Sequence, residues 1–182
     1  MQMGRENNPT TTTRTSSLRL IRACLAGLVG ITVNTVVLKM GPMLRIHPGS
    51  GGLLQLFLLY AARWSPSILP VAHRLGLQKP PTLFGFLWFH YLSGLAMILI
   101  YFFVFVPSMH RPRWMIVASF SILVWFVNAA FVLPQIGEGF AGIENVPFSG
   151  ILYFFIANWI FVAVSDFSLK KFSADTLPRE RH

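Results

Sequence analysis

The chain sets long apolar stretches between short polar ones. Four windows contain no Asp, Glu, Lys or Arg: Ala23–Leu38, Pro80–Met109, Trp114–Gly137 and Asn145–Ser165. A helix rises about 1.5 Å per residue, so crossing a bilayer's hydrocarbon takes roughly 20 apolar residues. The last three windows meet that length. The first holds 16 residues before Lys39. A lysine near a helix end can snorkel to the head groups, which lets this helix continue to about Leu44. The pattern predicts an all-α membrane protein with four transmembrane helices, at about 23–44, 83–106, 114–134 and 147–166, in a bundle over 22–168.

A fifth apolar run, "LLQLFLLYAARW" at Leu53–Trp64, is different in kind. It has ten uncharged residues before Arg63, and Pro66 and Pro70 follow. That is too short to cross, so it predicts a short interfacial or re-entrant helix in the first external loop. Gly41, Pro42, Pro48, Gly49, Gly51 and Gly52 make the preceding segment a loop.

Charge arbitrates the topology. The chain has 15 Lys and Arg against 6 Asp and Glu, a net charge of +9. With four spans and the N-terminus inside, ten bases flank the inner side: Arg5, Arg14, Arg19, Arg22, Arg111, Arg113, Lys170, Lys171, Arg179 and Arg181. The outer side carries five: Lys39, Arg45, Arg63, Arg74 and Lys79. A fifth span at Leu53–Ala72 changes the ratio to six inside and eight outside. Because Lys and Arg favour the cytoplasmic side, four spans with both termini cytoplasmic are expected. Residues 1–21 and 169–182 then read as a disordered and a polar basic tail. The basic excess sits beside the spans, which fits anionic lipid head groups and excludes nucleic acid as the partner. The one cysteine, Cys24, cannot form an intrachain disulfide.

Each predicted span carries one strongly polar residue: Asn34, His90, Asn128 and Asn158. Asn34, His90 and Asn128 lie within about two helical turns of the outer ends, and Asn158 lies nearer the midplane. An unpaired amide or imidazole in hydrocarbon costs several kcal/mol, so such groups turn inward and bond across helices. The four are expected to form an intramembrane polar cluster, with His90 bonded to Asn34 or Asn128. Small residues, notably Ala26, Gly27 and Gly30 and then Ser93, Gly94 and Ala96, mark where helices approach closely.

Candidate chemistry is sparse. A haem between helices usually needs two axial ligands, and His90 is the one histidine inside a span. No His, Cys, Asp and Glu grouping has metal-ligand spacing. There is no G-x-S-x-G, P-loop or HExxH sequence, so no enzyme, catalytic residue, cofactor or metal is expected. Glu138 and Glu144 of the third loop are the acids nearest in kind to an acid–base partner for His90, and solvated loop carboxylates are their plainer reading.

The order of the pieces resembles a bacterial family of small four-helix integral membrane proteins of unknown function. The stretches that carry the resemblance are "AGLVGITVNTVVLKMGPML", "FHYLSGLAMILIYFFVF" with His90, and "LVWFVNAAFVLPQIGEGF". It implies a membrane bundle in a bacterial inner membrane and no known activity. It also implies a histidine near the start of the last helix, where "FSGILYFFIANWIF" has none. Together these readings give a structural or accessory subunit of a larger membrane complex. The alternative is a small oligomeric transporter or channel with a polar pocket near the outer face.

Overall fold

A computed structural model of the chain describes residues 9–46, 52–77 and 81–174. Six helices are described: α1 Pro9–Met40, α2 Gly52–Trp64, α3 Leu69–Arg74, α4 Leu83–Ser108, α5 Arg113–Gln135 and α6 Phe148–Ala174. Among the described residues there is no strand. Four helices are long and apolar enough to cross a membrane, over Ser17–Leu44, Leu83–Ser108, Arg113–Gln135 and Phe148–Ser173. The protein is therefore an all-α, multi-pass membrane protein. The short α2, with 13 residues, cannot cross.

Two boundaries differ from the sequence expectation. α1 begins at Pro9, so residues 9–21 are helical and not a disordered tail. Proline is well suited to a helix's first turn, where its missing N–H has no intrahelical role, and the rest of α1 propagates from the apolar span. Likewise α6 covers the first residues of the expected C-terminal tail, as far as Ala174. Residues 1–8 and 175–182 lie outside the described residues.

Prolines mark spans 2 and 3 without ending them. Each sits just after a widened π turn, Tyr101–Phe105 before Pro107 and Asn128–Val132 before Pro134. A proline removes one backbone donor and its ring crowds the carbonyl four residues back. A π turn takes up the extra residue, and the helix then continues to Ser108 or Gln135.

The helices neighbour one another in the order α4, α1, α6, α5. α1 and α6 run antiparallel and touch along their length. Their contact rests on small residues. A Cβ added to Gly30 would lie 1.9 Å from Ser165 Oγ and 2.9 Å from the Phe161 carbonyl oxygen. Ala26, Ala157 and Val162 are fully buried around it. α4 meets the other side of α1 through Gly94, whose added Cβ would come within 2.8 Å of Ile31. The sequence reading of Ala26, Gly30 and Gly94 as close-approach positions agrees with this packing. Ile31, Ile98, Tyr101, Phe120, Phe161 and Val162 form the core.

Helices α4 and α5 meet near the end of the bundle where α1 begins and α6 stops (the terminal end of those two helices), and there Phe120 packs on Tyr101 and Phe105 at 5.1 Å. Towards the opposite end, the loop side, α2 lies between them. Leu54, Leu58, Ala72 and Leu77 of the α2–α3 segment bury against Phe86, Trp88 and Phe89 of α4. Gly52 meets Val132 and Leu133 of α5, and Tyr60 donates its hydroxyl hydrogen to Gln135 Oε1. The α3–α4 corner is fixed by backbone. Thr82 caps α4, its Oγ1 accepting from the Gly85 N–H at 3.0 Å, while its own N–H reaches the Gly76 carbonyl at 2.9 Å. Gly85 leaves no room for a Cβ, which would lie 2.2 Å from Gly76 O.

Candidate functional site

The strongest polar constellation lies at the terminal end and centres on Asp166. The Asp166 side chain is 5% exposed. Its Oδ1 accepts from Tyr101 Oη at 2.9 Å and from Arg113 Nε at 2.8 Å. Its Oδ2 lies 3.3 Å from Lys170 Nζ, one turn along the same helix. Three helices thus meet on one acid: Tyr101 from the π turn of α4, Arg113 from the first residue of α5, and Asp166 and Lys170 from α6. Two cations and a phenol satisfy the carboxylate, which is what burial of a charge requires. In sequence Asp166 only closes the last uncharged window, Asn145–Ser165, and carries no motif. The local signal for this knot is the pair Asp166 and Lys170 at i, i+4, and Arg113 meets them from the start of the neighbouring helix.

The four residues expected to cluster are placed as follows. Asn34 of α1 is 7% exposed, and its Oδ1 has no hydrogen-bond partner among the described residues. His90 Nε2 of α4 is also buried without a partner. The expected bond from His90 to Asn34 or Asn128 is therefore not made at either of these atoms. The imidazole instead stacks on Phe86, at 5.9 Å and 4° between planes. Asn158 donates Nδ2 to the Phe154 carbonyl of its own helix at 2.8 Å. Asn128 opens the π turn of α5, and its Oδ1 lies 3.7 Å from where a Cβ on Gly52 would stand, beside α2.

Register brings two of the four to one level. Gly27 faces Ile98 and Ile31 faces Gly94, so Asn34, one turn further along α1, lies level with the His90–Tyr91 turn. Thr32 and Tyr91 share a hydrogen bond of 3.0 Å across the same pair of helices. A second cross-helix link runs from the Tyr153 hydroxyl of α6 to the Val37 carbonyl of α1. In this half tyrosines make both of these links, and Trp88 Nε1 of α4 donates to the Leu75 carbonyl at the end of α3 at 2.9 Å. Several other polar side chains turn back on their own helix: Thr32 to Leu28, Thr35 to Ile31, Ser121 to Val117 and Ser165 to Phe161, each at 2.8 Å. A hydroxyl or amide four residues after a carbonyl can bond it without leaving its helix. This local bond is the one Asn158 makes, in place of a bond across helices.

Glu138 accepts from Asn145 Nδ2 at 3.0 Å within the α5–α6 loop. Among the described residues, no three His, Cys, Asp and Glu side chains gather as a metal site. In comparisons with protein-family models, curated proteins and solved structures, the chain matches none.

Proposed function

We infer that this protein is a non-catalytic accessory subunit of a larger complex in a bacterial inner membrane, with both termini in the cytoplasm. The observation that carries this reading is the fate of Asp166. Ionisable groups inside a span ordinarily mark ion paths or proton relays. Here the buried carboxylate is closed by Tyr101, Arg113 and Lys170, so its charge is spent on joining α4, α5 and α6. The likeness to small four-helix bacterial membrane proteins and the ten-to-five distribution of bases support the compartment and the orientation.

Mass spectrometry of the intact assembly, extracted in mild detergent, tests the role. A fixed set of other membrane proteins is the expected result, and a homo-oligomer alone would overturn it. Reporter fusions after residue 140 and at the C-terminus test the orientation. They should report opposite sides, with the C-terminal fusion cytoplasmic.

One observation favours a second reading, a small oligomeric transporter or channel with a polar pocket near the outer face. Asn34 Oδ1 and His90 Nε2 lie at one level, buried and unpaired. Ion flux through vesicles holding only this chain, abolished in Asn34→Leu, would establish that reading over the first.

A further inference from the structure

Two clefts open at the terminal end, on different sides of α6, and they differ in how their cations are used. One is a groove of about 350 Å³ between α5 and α6, with Trp114 and Trp159 in its wall. Its cations, Arg113 and Lys170, are both engaged by Asp166. The other is a cleft of about 150 Å³ where α1, the π turn of α4 and the end of α6 converge. Arg19 and Arg22 line it from α1, Phe102 and Phe103 from α4, and Leu169 from α6. Both salt bridges among the described residues end on Asp166, so neither of these arginines has a carboxylate partner among them.

We propose that the Arg19–Arg22 cleft binds the phosphate of an anionic phospholipid. Three residues apart on a helix, the two guanidinium groups lie on one face. They stand within the first turns of the candidate span Ser17–Leu44, at the level where hydrocarbon gives way to head groups. Guanidinium forks match phosphate oxygens in pairs, and basic pockets between transmembrane helices capture anionic head groups. The cleft is smaller than the roughly 300–1000 Å³ that encloses a drug-sized ligand. It has room for a head-group phosphate, with the acyl chains left in the bilayer. Phe103, 48% exposed, continues the cleft into the span as an apolar wall for those chains. A free phosphate has no use for that wall. The two charges, which no described carboxylate opposes, favour an anionic over a zwitterionic lipid, whereas in the groove at Arg113 Asp166 offsets one of the two positive charges. The proposal rests on the membrane-spanning bundle and not on the accessory role.

Native mass spectrometry of the full chain in mild detergent, with added phosphatidylglycerol or phosphatidylcholine, tests it. The wild type should retain phosphatidylglycerol over phosphatidylcholine. Arg19→Gln and Arg22→Gln should each lower that retention about fivefold, and the double variant about 25-fold. Lys170→Gln, in the other groove, should leave it unchanged. Equal retention of the two lipids by the wild type, or full retention by the double variant, would overturn the proposal. Displacement of phosphatidylglycerol by millimolar inorganic phosphate would also overturn it, by marking a site for the free ion. A Phe103→Trp reporter keeps both arginines and so does not depend on the Gln variants folding. Its added fluorescence should be quenched more by brominated phosphatidylglycerol than by brominated phosphatidylcholine in vesicles, and equal quenching would count against the site.

Discussion

The two ends of the bundle handle buried polarity in opposite ways. At the terminal end, Asp166 is surrounded by Tyr101, Arg113 and Lys170, and the two hydrogen bonds to its Oδ1 come from two other helices. On the loop side, Asn34 Oδ1 and His90 Nε2 are buried at one level and remain unpaired. Polar residue type alone therefore does not tell whether a group joins helices. Reach matters: tyrosine and arginine span the gap between helices, whereas within the spans Asn158 bonds its own helix and Asn34 Oδ1 has no partner among the described residues.

The largest expected effect tests the satisfied end. Asp166→Leu removes the acceptor shared by three helices and leaves the half-buried Arg113 and the Tyr101 hydroxyl without it. Breaking a buried pair from one side costs about 3–5 kcal/mol, so unfolding in mixed detergent should shift by that order. Tyr101→Phe leaves the two cations on Asp166 and deletes one hydrogen bond to a charged group. A loss of about 2 kcal/mol is expected in the same assay. A loss below about 0.5 kcal/mol for Tyr101→Phe would show that the ion pairs alone hold this end.

Gly30→Ala probes the contact that both ends depend on. Its methyl would meet Ser165 Oγ and the Phe161 carbonyl, so about 1–3 kcal/mol should be lost through overpacking. Adding Ser165→Ala removes only the first clash and should recover part of that loss. Full additivity would show that the backbone contact at Phe161 sets the whole cost.

The smallest effect has the opposite sign. Replacing an unsatisfied buried polar group by an apolar one of similar shape removes its desolvation penalty. His90→Leu should therefore be neutral or stabilise by up to about 1 kcal/mol, and Asn34→Leu likewise. The sequence reading, which paired His90 with an asparagine, expects a loss of about 1–3 kcal/mol for the same change. A measured loss in that range would restore the pairing and erase the contrast between the ends.

Much of the architecture was legible in sequence because hydrocarbon imposes a simple length rule. The uncharged windows gave four spans, and the short Leu53–Trp64 run gave the non-spanning α2. Small residues at Ala26, Gly30 and Gly94 gave the helix contacts. The helix ends were less legible, since Pro107 and Pro134 look like stops until a π turn absorbs each one. The Asp166 knot was missed because its members come from three helices and only Asp166 and Lys170 share a local pattern. The expected bond from His90 to Asn34 or Asn128 is not made at His90 Nε2, whose ring stacks on Phe86, and Asn158 takes a carbonyl of its own helix: ring stacking and local carbonyls compete with cross-helix bonds. Neither competitor leaves a mark in a depth estimate.

The long seam between α1 and α6 has a consequence for how the molecule is made. α1 leaves the ribosome before the other described helices, yet the one it fits most closely, α6, is encoded more than 100 residues downstream. Until α6 has emerged, the notch at Gly30 lies open to lipid or to another protein, and the centre of the molecule is unfilled. Assembly must then close around α1 only when α6 arrives, the order opposite to a protein that folds from local contacts outward. A nascent chain halted before Phe148 would carry α1 packed on α4 alone, with its longer contact face uncovered.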